Sequence, residues 1–566
     1  MELNYNPIHH PVPGWMLFRA HILAHVLSQD AVAPVCHGKA CYFNGIALVP
    51  AGQPMSSLHT SSSHALRWLI LAIVSVDLFL IVIDMTVLYT ALPHLTLALQ
   101  ATASEKLWIV NAYPLAVAGL LPGMGTLSDR YGPKRLFVGG MAIFGIASLL
   151  AAYAANPEWL MGARVLLAVG AAMMMPATLA IIRHTFLDAR ERAIAIGIWA
   201  AVASGGAAFG PVVGGALLEH YWWGSVFLIN VPTVLIVLPL AMWFIDDHRS
   251  GSTRAFDLIG SGQILVGLVG SVYAVKELSQ RAPSYTLALL AGLTGAVFLL
   301  FFVKRQLRTA DPLIDLRLFR NRKFSTAVIV ALAAAIAFAG IELIYSQWLQ
   351  LVRQMSPLQA GLFILPAPLA SFVAGPIAGL LIPRLGENRG MWLSMLIGGF
   401  GAFALVGTHQ MAPVWQLVSL TIMGFGLGMA LTAASSSILS NAPADQVGMA
   451  ASVEEMSFEL GAVLGVAIMG SLATAVYGAT LILPDNSALP AVVYDSLDEA
   501  LAVAATSAPV VAAMLAERAR ASFDYALLAV MAATGGLLLL TAWHTWRKRS
   551  DHSAPHITLA ADGTGR

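Results

Sequence analysis

Fourteen runs of about twenty apolar residues, joined mostly by short polar connections, constrain this chain more than any other feature. They lie near 67–92, 107–127, 136–155, 159–182, 194–217, 224–245, 257–276, 285–303, 324–349, 358–381, 391–409, 414–437, 455–475 and 522–545. About 20 consecutive apolar residues span the hydrocarbon core of a bilayer. No water is present there, so backbone polar groups must pair within the segment, and each run is predicted to be a helix. Only 11% of the 566 residues are charged and mean hydropathy is +0.76, against roughly 25% charged residues in a soluble domain. The expected class is an all-α polytopic membrane protein with 14 transmembrane helices. A net charge of +1 gives no sign of a nucleic-acid partner.

Lys and Arg set the orientation, because cytoplasmic loops carry an excess of them. With the N-terminus inside, the inner flanks and loops hold 21 basic residues and the outer ones hold six. Seven of the 21 fall in the stretch after the eighth run: Lys304, Arg305, Arg308, Arg317, Arg320, Arg322 and Lys323. Both termini are therefore expected in the cytoplasm, with the long polar segment 476–521 outside. Residues 1–54 hold five histidines but lack the pattern of a signal peptide. His21 and His25 are four residues apart, as helical metal ligands can be, yet no further ligand accompanies them. Cys36 and Cys41 rule out a disulfide scaffold and are a weak metal signal. No metal is expected, and this segment is expected to be dispensable.

An internal repeat divides the rest. GTLSDRYGPKR (Gly125–Arg135) after the second run aligns without gaps on GLLIPRLGENR (Gly379–Arg389), 254 residues later. Gly125/Gly379, Arg130/Arg384, Gly132/Gly386 and Arg135/Arg389 coincide. Parallel repeats of this kind relate the halves of some transporters. The match requires six runs in each half with two extra ones between them. The expected organisation is a tail at 1–66, a six-helix half at 67–245, and two extra helices with a basic linker at 246–323. A second six-helix half follows at 324–545, with a tail at 546–566.

Four motifs in order carry a family resemblance. IDMTVLYTALP (Ile83–Pro93) lies in the first helix, GTLSDRYGPKR in the following cytoplasmic loop, and RVLLAVGAA (Arg164–Ala172) in the fourth helix. GIWAAVASGGAAFGPVVGG (197–215) carries the glycine pattern Gly197, Gly206, Gly210, Pro211, Gly214 and Gly215 in the fifth. The chain resembles the major facilitator superfamily from about Arg67 onward. Within it, the chain resembles the fourteen-helix drug:proton antiporters, closest to the SmvA/QacA group of quaternary-ammonium and methyl viologen exporters. The resemblance implies export of lipophilic cations in exchange for protons by alternating access, with the proton gradient in place of a cofactor. No Walker-type GK[ST] loop is present for ATP. Expected partners are the cations, protons and membrane lipids, with no second protomer. Glycine lets backbones approach closely in lipid, and the fifth-helix glycines are expected to pack against the other half. An exporter of one metabolite, or an importer, on the same fold is the alternative, since fold does not fix substrate. A membrane enzyme is disfavoured by the lack of a nucleophile–base pair or metal cluster.

Ionisable residues in mid-membrane are costly, by some 2.5–3.5 kcal/mol on insertion scales, and so mark function. The runs hold Asp77, Asp84, Arg164, Glu342, Glu454, Glu455 and Glu459. Asp77 and Asp84 are two helical turns apart, and Glu455 and Glu459 one turn apart, so each pair shares a face. If both faces line the cavity, the acids form a column that attracts cations. Deprotonated, they hold a cation; a proton from outside releases it. Asp84, Glu342, Glu455 and Glu459 are the main candidates, with Asp77 either interfacial or lining, and Glu454 near the inner edge. Asn111 stands where some relatives carry an acid and cannot titrate. Arg164 either satisfies an acid of the first helix or relays protons. Tyr113, Tyr345 and Trp348 are candidate aromatic cavity residues whose ring faces can stack on a cation. Gly125, Asp129, Arg130, Gly132 and Arg135 form the loop motif, where Asp129 and Arg130 are expected to latch the halves. The latch would be one-sided, because Pro383 takes the place of Asp129 in the second half. Trp108, Trp222 and Trp223 are expected in the interfacial belt.

Overall fold

The computed structural model describes residues 64–247, 257–279, 283–309, 312–443, 447–484 and 489–547, and three short strands nearer the N-terminus. Strands β1 (Val35–His37), β2 (Ala40–Phe43) and β3 (Ile46–Ala47) form an antiparallel sheet that sets Cys36 opposite Cys41. His9, His10, His21 and His25 lie outside the described residues.

From His64 the chain is helical: α1 (His64–Leu99), α2 (Ala103–Tyr131), α3 (Pro133–Ala152), α4 (Pro157–Thr185), α5 (Ala189–His220) and α6 (Ser225–Phe244). Then come α7 (Leu258–Ser279), α8 (Tyr285–Arg308), α9 (Arg322–Gln347, continued by a π turn Trp348–Val352) and α10 (Pro357–Ile364 with Pro366–Leu385). Last are α11 (Glu387–Thr408), α12 (Pro413–Ser440), α13 (Val447–Thr480), the short α14 (Leu497–Thr506) and α15 (Pro509–Arg547). Among the described residues, 13 helices are long and apolar enough to cross a membrane. The 32-residue α5 completes the expected fourteen. Crossing an even number of times, the chain has α1 begin and α15 end on one face, here the terminal face. The opposite face carries α14 and is the hairpin face. The segment expected as the loop 476–521 is shorter as a connection, because α13 runs to Thr480 and α15 begins at Pro509.

Local chemistry sets the helix ends. Thr102 and Glu105 form a capping box at the start of α2, as Ser356 and Gln359 do at α10. Proline opens α3, α4, α10 and α12, where its missing N–H costs nothing. The repeat shows in the backbone itself. Gly132 between α2 and α3 has φ 98°, and Gly386 between α10 and α11 has φ 82°, a region that favours glycine.

Helices α1–α6 form one half, and α9–α13 with α15 form the other. They meet along three seams: α1 on α9, α5 on α10, and α2 on α13. Helix α7 packs against both α2 and α13 and so covers one seam, while α8 leans on α7. Leu115, Val272, Val463 and Ala467 form a separate apolar cluster at that covered seam, with Trp108 against it. Trp108, half-buried, packs there against α7, its ring 6.2 Å from that of Tyr273. Trp222, at 45% exposure, does stand at the surface.

The fifth-helix glycines correct an expectation. A Cβ on Gly206, Gly210 or Gly214 would meet Val82, Thr86 or Val87, all on α1 of the same half. Only the end of the motif faces the other half. A Cβ on Gly215 would lie 2.6 Å from Leu358 Cα, and one on Gly361 would lie 2.4 Å from the Pro211 carbonyl oxygen. The glycine face thus seats α5 on α1, and Pro211–Gly215 alone makes the close backbone contact with α10.

Candidate functional site

Asp84 sits in mid-α1 at 1% exposure, and both its carboxylate oxygens are engaged. Arg164 Nη1 of α4 donates to Oδ2 at 2.6 Å, and Asn230 Nδ2 of α6 donates to Oδ1 at 3.0 Å. The same amide donates to Ser148 Oγ of α3 at 3.1 Å. Arg164 is 1% exposed and lies under the Tyr113 ring at 4.7 Å, a cation–π distance, with Phe227 at 6.0 Å. Of the two readings of Arg164, the geometry here is that of a buried cation paired with the acid of the first helix. Asp84 accordingly does not line an open column; it is locked inside its own half. Breaking such a pair on one side leaves an uncompensated buried charge.

Asp77, two turns away on α1, is 1% exposed and so lies inside the helix bundle. Among the described residues its Oδ2 has no hydrogen-bond partner, and the same holds for the Tyr113 hydroxyl, Asn111 Oδ1 and one oxygen of Glu459. Tyr113 joins them: the charges of Asp84, Glu459 and Asp77 all reach its hydroxyl. Glu459, 5% exposed on α13, is also within electrostatic reach of Arg164 and of Glu455. Glu342, 6% exposed on α9, acts with Glu459 on the Tyr89 hydroxyl of α1. Asp77, Asp84 and Glu459 thus lie around Tyr113, and Glu342 and Glu459 around Tyr89, at the α1/α9 and α2/α13 seams, with Glu455 next to Glu459 on α13. Glu454, one position along α13, acts in turn on Glu455.

The aromatic pair departs from its expected role. Tyr345 and Trp348 stack with centroids 5.4 Å apart, but they face into their own half. Tyr345 donates to Gln416 Oε1 at 3.0 Å and Trp348 Nε1 to Asp524 Oδ1 at 2.6 Å. Arg353 covers the Trp348 ring at 5.5 Å, and Phe363 lies 6.3 Å from Tyr345. Those faces are occupied in this conformation.

The hairpin face is where hydrogen bonds tie the halves together. Ser346 Oγ donates to the Tyr89 carbonyl at 3.3 Å and Gln350 Nε2 to the Thr90 carbonyl at 3.1 Å. Ser356 bonds Glu219. Lys106 at the start of α2 pairs with Asp498 of α14 and reaches Gln347 Oε1 at 3.2 Å, while Glu499 accepts from the Ala103 N–H at 3.2 Å. A small cavity lined by Lys106, Gln347, Tyr477, Asp495 and Phe523 lies beneath α14. At the terminal face, the loop motif makes contacts within one half. Arg135 pairs with Asp247 at 3.0 Å, and the exposed Arg130 lies over Tyr131 at 5.6 Å. The side chains of Asp129 and Pro383 lie outside the described residues, and a Cβ on Gly125 would meet nothing within 4 Å.

Two packed halves with buried acids at their seams are transporter architecture, and comparison with known proteins supplies the family. The description Major Facilitator Superfamily matches residues 77–466. The chain belongs to that superfamily. This facilitator is 40% identical over 488 residues to the methyl viologen resistance protein SmvA of Salmonella typhimurium, covering 85% of this chain and 98% of that one. It is 36% identical to the multidrug efflux pump LfrA of Mycolicibacterium smegmatis, with 85% and 96% covered. Among solved structures it is similar in fold to a bacterial homolog of the human lysosomal transporter Spinster. That match has a TM-score of 0.59 at 17% identity and covers 87% of this chain and 100% of the other. The fold expected from the motifs, a multi-pass facilitator of two six-helix halves with two helices between, is the fold found.

Sequence reasoning missed Asn230, Ser148, Lys106 and Asp498. Asn230 had a signal, an amide inside the apolar stretch WGSVFLINVP. Lys106 and Asp498 had none, since 392 residues separate them.

Proposed function

We propose that this facilitator exports lipophilic cations, such as quaternary ammonium compounds, biguanides, dyes and methyl viologen, in exchange for protons. The observation that carries the reading is the acid group at the seams. Asp77, Asp84, Glu342, Glu455 and Glu459, with Glu454 next to Glu455, lie in a neighbourhood in which Arg164 is, among the described residues, the one mid-helix cation, and Arg164 is already paired with Asp84. A site of that charge favours a cationic guest and can exchange it for protons. The names of the relatives, methyl viologen resistance and multidrug efflux, support the same substrate class.

The chain works as a transporter rather than an enzyme, as a monomer in a bacterial inner membrane with both termini in the cytoplasm. The basic excess of the terminal-face loops supports that orientation. The hairpin face is then the exit, held shut here by Lys106, Gln350 and the Pro211–Gly215 contact. One proton per monocation moves no net charge, whereas two would also draw on the membrane potential, at about 2.3 kcal/mol per charge per 100 mV.

The test is proton-coupled efflux of ethidium, dequalinium and methyl viologen in everted vesicles. Wild type is run beside Asp84→Asn, Glu342→Gln, Glu455→Gln and Glu459→Gln. The reading expects exchange by wild type and its loss in at least one neutralised variant. If wild type moves none of these cations, the substrate class falls and a single-metabolite exporter on the same fold takes its place.

A further inference from the structure

We propose that Asn230 is the positioning residue of the Asp84 carboxyl, serving it in both protonation states by turning its side-chain amide. The inference rests on the reading that Asp84 takes up and releases a proton. Asn230 is 0% exposed, and its Nδ2 supplies two hydrogen bonds, to Asp84 Oδ1 at 3.0 Å and to Ser148 Oγ at 3.1 Å. Its Oδ1 is buried with no hydrogen-bond partner among the described residues. A purely structural buried amide is normally satisfied at both ends, because each unmet group costs about 1–3 kcal/mol. Among the described residues nothing holds the oxygen end, so a half-turn of the amide breaks only the two Nδ2 bonds, and both can be remade with reversed sense once Asp84 is protonated.

The half-turn has a chemical use. An ionised carboxylate only accepts, and the Nδ2 end serves it. A protonated carboxyl has one O–H to donate, and the Nδ2 end cannot accept it. After the turn, Oδ1 stands where Nδ2 stood and accepts from Asp84. Ser148 follows, since a hydroxyl donates as readily as it accepts, and Oδ1 has two lone pairs. The balance is simple: one proton arrives on Asp84, no other bond is made or broken, and both neighbours reverse their hydrogen-bond sense. Arg164 on α4 then faces a neutral partner, and Glu459 of α13 is the acid next within its electrostatic reach. The other charged and titratable groups around Asp84 are Tyr113 from α2 and Asp77 on α1 itself, with Glu342 of α9 acting on nearby Tyr89. Among the described residues, none of these is hydrogen-bonded to Asp84 Oδ1, and Asn230 is the one donor to it.

The experiment reads Asp84 without transport. Purified full-length protein in lipid nanodiscs is titrated by infrared difference spectroscopy, and the protonated-carboxyl band lost in Asp84→Asn is assigned to Asp84. Asn230→Leu keeps the volume and removes both functions of the amide. The expected result is that the C=O stretching frequency of that protonated-carboxyl band shifts, because the acceptor of its O–H is gone, while the midpoint moves little because a donor to the carboxylate is lost as well. Ser148→Ala, which leaves the Asn230–Asp84 bond, is expected to shift the frequency less. Should Asn230→Leu not fold, Asn230→Ser, too short to reach both partners, is expected to shift the band in the same direction. An unchanged band frequency in a folded variant overturns the proposal, as does an Asp84 that shows no titration at all. Failure of the wild type to export any cation, with the Asp84 band still responding to Asn230, overturns the substrate reading alone.

Discussion

Gly215→Ala is expected to open the hairpin face without unfolding either half. The added Cβ would lie 2.6 Å from Leu358 Cα, 2.6 Å from the Pro357 carbonyl oxygen and 2.7 Å from Leu358 N, all backbone atoms that no rotamer change can move aside. Relief requires α5 and α10 to separate by roughly 1 Å, and overpacking of this kind costs about 1–3 kcal/mol. The contact exists only while the hairpin face is closed, so the cost falls on that state and not on its alternative. At about 1.4 kcal/mol per tenfold, the ratio of closed to open hairpin face falls by roughly 5- to 150-fold. Gly214→Ala is the control, because its Cβ would press on Val87 of α1 at 3.2 Å, inside the same half. The assay is electron–electron distance spectroscopy between spin labels at the exposed Tyr221 and Val510, on opposite halves at that face, with Cys36 and Cys41 replaced by serine. Gly215→Ala should lengthen the distance and Gly214→Ala should not. If both variants, or neither, change the distribution, the α5/α10 backbone contact is not what keeps this face closed.

Three further outcomes follow from the same contacts. Lys106→Met leaves Asp498 unpaired at 11% side-chain exposure; it is expected to weaken docking of α14, seen as faster hydrogen exchange at Ala103, and Asp498→Leu in the same chain should restore part of it. Arg164→Met or Asp84→Asn alone should lower thermal stability by about 3–5 kcal/mol, as for other buried pairs broken on one side, and the double variant should lose less than the two together. Burial pushes the Glu499 carboxyl above the ordinary carboxylate range. Its folded form therefore holds a proton more tightly than the unfolded form, so stability from this group is present at low pH and lost as pH rises through the raised value. Exchange at the Ala103 amide should accordingly speed up as pH rises above the usual carboxylate range, after correction for intrinsic rates, and Glu499→Gln should flatten that dependence.

The sequence by itself determined the helices, their number and their pairing into repeats. That information is local: a bilayer demands about 20 apolar residues per crossing, and Gly132 and Gly386 mark equivalent turns because only glycine adopts their backbone angles cheaply. It also named the acids, since an ionisable group in an apolar run is conspicuous in one dimension. Partner choice was legible only in part. An acid of the first helix was one of two readings for Arg164, and tertiary structure made that acid Asp84, 80 residues away, and added Asn230, 146 away, which had not been named. The fifth-helix glycines announced a close approach but not to which helix; the fold placed three of them on α1 and only Gly215 against α10. Tyr345 and Trp348 lie within two turns of Glu342 on one helix and were expected in the cavity, yet Gln416 and Asp524 turned them into their own half. The physical reason is the same each time. Hydrophobic pattern and backbone angle act over a few residues, whereas which charge meets which counter-charge depends on how helices far apart in the chain are laid side by side.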